Sequence, residues 1–290
     1  MVRSAPYRSF PNGILLDAIC FDRGVVTSMN RQSTVSRSIT TDELRSLVRK
    51  SPTALAAHDK SAWLELFAED HTVEDPVGGR PVIGGGFDKK SGSRGRGPLS
   101  RFWDTFIEPN NIRFHQERDD IVTGLSVVRD VTIEVGFPGG VTARAPMHLL
   151  YEVTLDEEVP RIRRHASHWE PGPMFAQVRG VGPTVLRIRA RTVARMIRLQ
   201  GVGGAHAYGR SRNSVGEAGK RSVLDLVHAS QSGDQAARNL LGGKDVRDIV
   251  KIIAAGDTVT VSCTADGVQA VVFFYLNRKT MTIRRCDVYS

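Results

Sequence analysis

Three segments of alternating hydrophobicity follow one another behind a run of helical patterns: Val127 to Val135, Val141 to Val153 and Ile162 to Trp169. That order constrains the fold more than any other feature of the chain. Alternation with a period of two marks strands that bury one face. The punctuation between them, Phe137-Pro138-Gly139-Gly140 and Asp156 to Pro160, is short enough to join neighbours as antiparallel hairpins. Helices followed by an antiparallel run predict an α+β fold, with helices covering one face of a curled sheet. The concave mouth of such a sheet is a usual place for a small-molecule pocket.

The helical part opens at Thr40-Thr41-Asp42-Glu43, where a threonine caps and acids fill the first turn. Leu44, Leu47 and Val48 follow on one face, and the Ser51-Pro52 step is expected to break or restart the helix. A second helix is expected from Lys60 to Glu69, with Ala62, Leu66 and Phe67 at helical spacing and Trp63 on the adjoining face. His58, in the polar joint between them, suits a surface or capping role.

Next comes His71 to Gly84, HTVEDPVGGRPVIG. Asp75 stands directly before Pro76, which biases it toward an extended backbone, and two glycines then permit a tight turn. A carboxylate held in such a bend against apolar walls suits general-base work, because partial burial keeps its pKa from being too low. An Asp that only braces its own turn is the competing possibility.

TVEDPVGGRPVIG resembles the segment of ketosteroid isomerases and their relatives that carries the proton-shuttling Asp. The wider group is the cone-shaped, nuclear-transport-factor-like fold, which includes the SnoaL-like polyketide cyclases. The resemblance runs from about Asp42 to Glu170 and takes in LSRFWDTFI (Leu99 to Ile107) and the strand ending RIRRHASHW. It implies a pocket domain for a hydrophobic, polycyclic or polyketide-like carbonyl compound, with proton transfer and no cofactor. Asp75 falls on the base. The donors of the isomerases do not carry over: Ser51 or its neighbours stand where their first helix keeps a tyrosine. Phe67 and Trp103 replace its two supporting tyrosines, and Tyr151 replaces the protonated Asp.

Alternation places Met147, Leu149 and Tyr151 on one strand face and His165, Ser167 and Trp169 on another. If these faces line the cavity, Tyr151 and His165 are candidate donors to a substrate oxygen, completing a catalytic set with Asp75. Trp63, Phe67, Phe102, Trp103, Met147, Leu149 and Trp169 are the candidate apolar walls. Ordinary half-buried strand packing is the alternative for Tyr151 and Trp169, and a satisfied strand histidine for His165. His165 and His168 point to opposite faces, so they are no metal pair, and no metal site is expected.

Gly216 to Ser290 reads as a shortened repeat: a helix pair, then three strands at Val250 to Cys263, Val268 to Leu276 and Met281 to Tyr289, with a hairpin at Asp266-Gly267. Asp248 stands where the base would be, without a Pro-Gly bend. The expected organisation is therefore a mobile tail (1–39), a pocket domain (40–175), a basic linker with a helix (176–215) and a reduced, structural second cone (216–290). The relatives often pair through their sheets, so the second copy is expected to act as a built-in partner, with a homodimer as the alternative.

The net charge is +9, and eight arginines between Glu170 and Glu217, with no acid among them, supply +8 of it. The remainder is near neutral, which argues against a nucleic-acid binder. Within that segment Leu186, Ala190, Val193 and Ile197 form an apolar stripe beside Arg187, Arg191, Arg195 and Arg198. The stripe lacks a Trp or Phe anchor, so packing on protein is favoured over an anionic membrane surface. The glycine-rich stretch Gly84 to Gly97 lacks the strand and the Lys-Ser/Thr of a phosphate-cradling loop and is expected to be a lid or a solvated insertion. The apolar piece GILLDAICF is interrupted by Asp17, so a secretory signal is not expected, and with three scattered cysteines, Cys20, Cys263 and Cys286, the expected compartment is the cytoplasm.

Overall fold

The computed structural model describes residues 38–85, 87–88, 93–94, 97–138, 140–178, 187, 190–199, 201 and 213–290. The expected tail up to residue 37, with Cys20, and Leu186 of the basic stripe lie outside them. Helix α1 (Thr41–Ala56) starts with a capping box between Thr40 and Glu43. It runs through Pro52 without a break, contrary to expectation: Leu44, Leu47, Val48, Ala54 and Leu55 are buried on both sides of the proline and hold the helix to one core. Asp59 caps α2 (Lys60–Glu65), which ends four residues before the expected boundary.

The chain turns at Leu66 into β1 (Phe67–Glu74), a strand that helical spacing had concealed. Parallel pairing with a later strand satisfies its backbone and overrides the local helical pattern. Then come β2 (Val82–Ile83), a small hairpin β3 (Phe87–Asp88) and β4 (Ser93–Arg94), α3 (Gly97–Phe102) and a single π-helical stretch, Trp103–Ile107. The hairpin falls inside the stretch expected to be an irregular loop.

The long strands follow as β5 (Asn111–Gln116), β6 (Ile121–Thr123), β7 (Ser126–Phe137), β8 (Val141–Asp156) and β9 (Val159–His168). The sheet order is β2-β1-β9-β8-β7-β5, with β6 beside β7, and every pair is antiparallel except β1 with β9. Helix α4 (Pro171–Gln177) packs Met174 into the first core, and α5 (190–199) follows. On α5 it is Met196 that is buried. Val193 and Ile197, expected to face protein, are 46% and 43% exposed, and Arg195 donates to the Asp104 carbonyl at 2.9 Å.

The last part holds α6 (Gly216–Gln231), α7 (Gln235–Leu240) and β10 (Val246–Ala255), β11 (Thr258–Ala265), β12 (Val268–Leu276) and β13 (Ile283–Tyr289). They form an antiparallel meander in chain order, giving four strands rather than three. The segment read as one strand from Val250 to Cys263 folds back at Gly256, whose φ is +60. Asp248 lies within β10, exposed, and accepts a hydrogen bond from Thr264 at 3.0 Å. The architecture is α+β, as expected, with two large sheets beside the small β3–β4 hairpin.

The first sheet is covered on both faces. On its inner face Val127, Val131, Met147, Leu149 and Tyr151 join the helices in one core. On its outer face Val128, Leu150 and Ala166 pack on Ala255, Val271 and Phe273 of the second sheet. Between the sheets His148 shares hydrogen bonds with Thr260 at 2.7 Å and Ser262 at 2.6 Å, and Asp130 pairs with Lys251. Burial alone would raise the Asp130 pKa, but His148, Lys251 and Ser262 hold it well below the ordinary carboxylate range.

The turn after β1 meets the β10–β11 turn backbone to backbone. A Cβ built on Gly78, at φ +91, would stand 2.5 Å from the Gly256 Cα, whereas one on Gly140, at φ +79, would meet nothing within 4 Å. Both positions impose the strain of a positive φ on any other residue, on the order of 1–3 kcal/mol, but only Gly78 adds a clash. Urea denaturation should show Gly78→Ala losing at least about 1 kcal/mol more than Gly140→Ala, on the scale of such strain. Equal losses would contradict this close approach of the two sheets.

Candidate functional site

Asp75 follows the last residue of β1 and enters a cis bond to Pro76. Val73 points into the first core and Glu74 outward to Arg164, so strand alternation returns Asp75 to the inner face. Its carboxylate accepts a 2.7 Å hydrogen bond from the Trp169 indole N–H and another from the Ser167 hydroxyl. The residue as a whole is only partly buried, but its carboxyl group is walled in. Burial raises its pKa to about 6 against the pull of these two donors. Val77 secures the bend by donating its N–H to the Ser167 carbonyl at 3.0 Å.

Ser167 links Asp75 to His165, whose Nε2 lies 3.3 Å from the Ser167 Oγ. With Asp75 ionised, Ser167 donates to it and the imidazole donates to Ser167, which assigns the hydrogen to Nε2. Burial, reinforced by the Arg129 charge, lowers the His165 pKa to about 3, so the ring is neutral at physiological pH. The ring stacks on Tyr151, with centroids 4.6 Å apart and planes 5° from parallel. Burial raises the Tyr151 pKa, so the phenol keeps its proton. Its hydroxyl reaches the side chains of Ser51 and Arg129.

The three expected catalytic residues thus share the inner face, joined by Ser167 and one ring stack. The seven expected wall residues are all in the first core. Trp63 and Trp103 have centroids 5.5 Å apart, and Phe67 lies 4.8 Å from Trp63. Trp63, Phe67, Trp103, Met147 and Leu149 are no more than 2% exposed, so they pack on one another, while Phe102 and Trp169 each keep 7%. The Trp63 N–H donates to Ser51 at 3.0 Å and the Trp103 N–H to Glu108 at 2.9 Å.

Sequence reasoning missed two residues at this site. Arg129 is 4% exposed, and its Nε donates to Asp120 at 3.0 Å. Asp120 also accepts from Arg49 of α1 at 2.8 Å. A charge inside VVRDV, where Val127 and Val131 share its face, was the available signal. No group among the described residues could hold a metal ion.

No curated protein matches the chain. Solved structures similar to it include a Δ5-3-ketosteroid isomerase from Mycobacterium sp., at 25% identity over 46% of this chain and 96% of that one, with a TM-score of 0.37. A Mycobacterium tuberculosis protein in complex with estradiol-17β-hemisuccinate has 22% identity over 45% and 96%, with a TM-score of 0.37. A putative polyketide cyclase from Pseudomonas putida has 17% identity over 46% and 96%, with a TM-score of 0.35. Residues 48–165, under half of the chain, match the SnoaL-like domain family, and that stretch carries Asp75, Tyr151 and His165.

Proposed function

We propose that the protein is a cofactor-free proton-transfer enzyme of isomerase or cyclase type. Its substrate is a hydrophobic, polycyclic or polyketide-like carbonyl compound bound against the inner face of the first sheet. The observation that carries this is the Asp75 carboxyl, raised to about 6 by burial and aimed by Trp169 and Ser167. A base of that pKa is ionised at neutral pH yet strong enough to take a carbon-bound proton next to a carbonyl. The C–H electrons move into the carbonyl as its oxygen becomes an enolate, and protonated Asp75 then returns the proton to another carbon. Tyr151, protonated and buried, is the donor to that oxygen. His165, neutral and wired through Ser167, orients the base.

A second reading is a non-catalytic binding or accessory protein of the same fold. The close packing of Trp63, Phe67 and Trp103 favours it, because it leaves little of the aromatic wall exposed to a ligand. In both readings residues 40–175 form the pocket domain. Residues 216–290 act as a reduced second copy, covering the outer sheet face as a dimer partner would. A membrane-peripheral role would rest on the exposed Val193 and Ile197 beside Arg191 and Arg198 of α5. No helix of the described residues is long and apolar enough to cross a membrane. The cytoplasm suits either reading.

Asp75→Asn separates the two. Exchange of α-hydrogens for deuterium in a panel of enolisable cyclic ketones, read by mass spectrometry, should fall by about 10²–10⁴-fold. In the native protein the rate should rise with pH through about 6 as Asp75 loses its proton. An unchanged rate in the variant would remove Asp75 from the chemistry, and no exchange in the native protein would favour the binding reading.

The same variant tests the energetics. The folded pKa of about 6 lies above the ordinary 3.8, so the folded state binds the extra proton between those values. Stability from this group is therefore fully present below pH 3.8 and lost as pH rises through 6. At pH 8 Asp75→Asn should be more stable than the native protein, by up to about 3 kcal/mol. The gap should close below about pH 4, near the ordinary carboxylate value. A variant no more stable at pH 8 would contradict the burial of the carboxylate.

A further inference from the structure

Ser167 and Trp169 hold the Asp75 carboxyl, and the residues that alternate with them lean on the second sheet. Ala166 packs with Ala255, Val271 and Phe273. The His168 ring meets the Phe273 ring edge-on, with centroids 4.9 Å apart and planes 87° apart, and both side chains are buried. The bend after Asp75 is backed in the same way. Val77 belongs to that outer cluster, and Gly78 meets Gly256 backbone to backbone.

A further hold lies at the junction between β9 and α4. The β8–β9 ladder ends at the pair His148 and His168, so Trp169 and Glu170 stand beyond its last rung. Glu170 accepts from the Lys220 Nζ of α6 at 2.9 Å, with the two side chains 24% and 13% exposed. Lys220 is itself steadied by Glu217 at 3.0 Å. The head of α6 is tied back to the turn at Gly256, whose carbonyl accepts from the Val215 N–H at 2.9 Å. The second unit therefore grips the bend, the back of β9 and the residue after Trp169.

We propose that residues 216–290 are a working part of the Asp75 site, in which Phe273 behind His168 and Lys220 on Glu170 are positioning residues that keep Trp169 and the Asp75 bend closed. The proposal rests on Asp75 being the inner-face base, and it replaces the purely structural task expected for these residues. Burial is the largest influence on the Asp75 carboxyl, and no charged group contributes. Its state therefore depends on how well its neighbours exclude water. A half-buried pair such as Lys220 with Glu170 fixes geometry more than it adds stability. Loosening the grip admits water, and because burial outweighs the two hydrogen bonds, the carboxyl then drifts toward ordinary behaviour.

The test is the NMR titration of the Asp75 carboxyl carbon in full-length variants. In Lys220→Met the midpoint should fall from about 6 toward the ordinary 3.8, by about 1 pH unit. Phe273→Leu should move it the same way, and Lys220→Arg should keep it. Val246→Ala serves as the control, since it thins the second core away from the first sheet, and it should leave the midpoint in place. Exchange of α-hydrogens should lose about 10-fold in kcat with little change in KM, as expected when a base is misplaced and binding is kept. An unchanged midpoint in folded Lys220→Met overturns the proposal even where Phe273→Leu fails to fold. An equal fall in Val246→Ala overturns it too, because general loosening would then suffice. In either case a native midpoint of about 6 leaves the base reading standing. The predicted shifts without any loss of exchange would uphold the positioning and refute Asp75 as the base.

Discussion

A long curved sheet has two faces, and in this protein neither can be left to water. Along β8 the inner residues Met147, Leu149 and Tyr151 alternate with His148 and Leu150 on the outside, and all five are at most 2% exposed. Helices from α1 to α4 cover the inner face. The outer face is covered by the second sheet, which contributes Val271 and Phe273 and the partners of His148 and Asp130. The polar pairs between the sheets are not a net source of stability, since desolvation offsets much of their attraction. Removing one partner would leave a buried charge, at about 3–5 kcal/mol. They therefore fix how the sheets register, while the apolar contacts supply the driving force.

With the outer face covered by the second sheet, the inner face carries its polar groups inside the first core. Its polar groups are ordered by depth and charge. Asp75 ends β1 under the Trp169 indole, and Arg129 lies where α1 closes over β7. Tyr151, His165 and Ser167 run between them. Each environment moves its group away from ordinary behaviour: a carboxyl raised to about 6 and an imidazole lowered to about 3. Such opposed shifts on one face are common at functional sites, because water that would relax them has been excluded.

Much of this was legible in the sequence. The period-two segments gave β7, β8 and β9 within a few residues, because a half-buried strand writes its faces into alternate positions. The same alternation put Tyr151, His165 and Trp169 on faces that the structure joins. β1 was hidden because its pairing partner β9 lies some ninety residues away, and short-range spacing carries no information about a parallel neighbour. Pro52 failed as a breaker because packing on both sides held α1 together. The turn at Gly256 was lost inside an apolar run, where a glycine at positive φ leaves no hydrophobic signature. Arg129 and Asp120 escaped because a salt bridge between them forms only when the strands close, although an arginine on the apolar face of VVRDV marked the place.

The account stands on the state of one carboxyl group. Titration of the Asp75 side-chain carbon by NMR, assigned by its disappearance in Asp75→Asn, measures that state without a substrate. The predicted midpoint is about 6, with the Trp169 indole N–H resonance moving at the same pH. A midpoint at or below the ordinary 3.8, with the indole resonance unmoved, would place the carboxylate in solvent and contradict the assignment of Asp75 as an inner-face base.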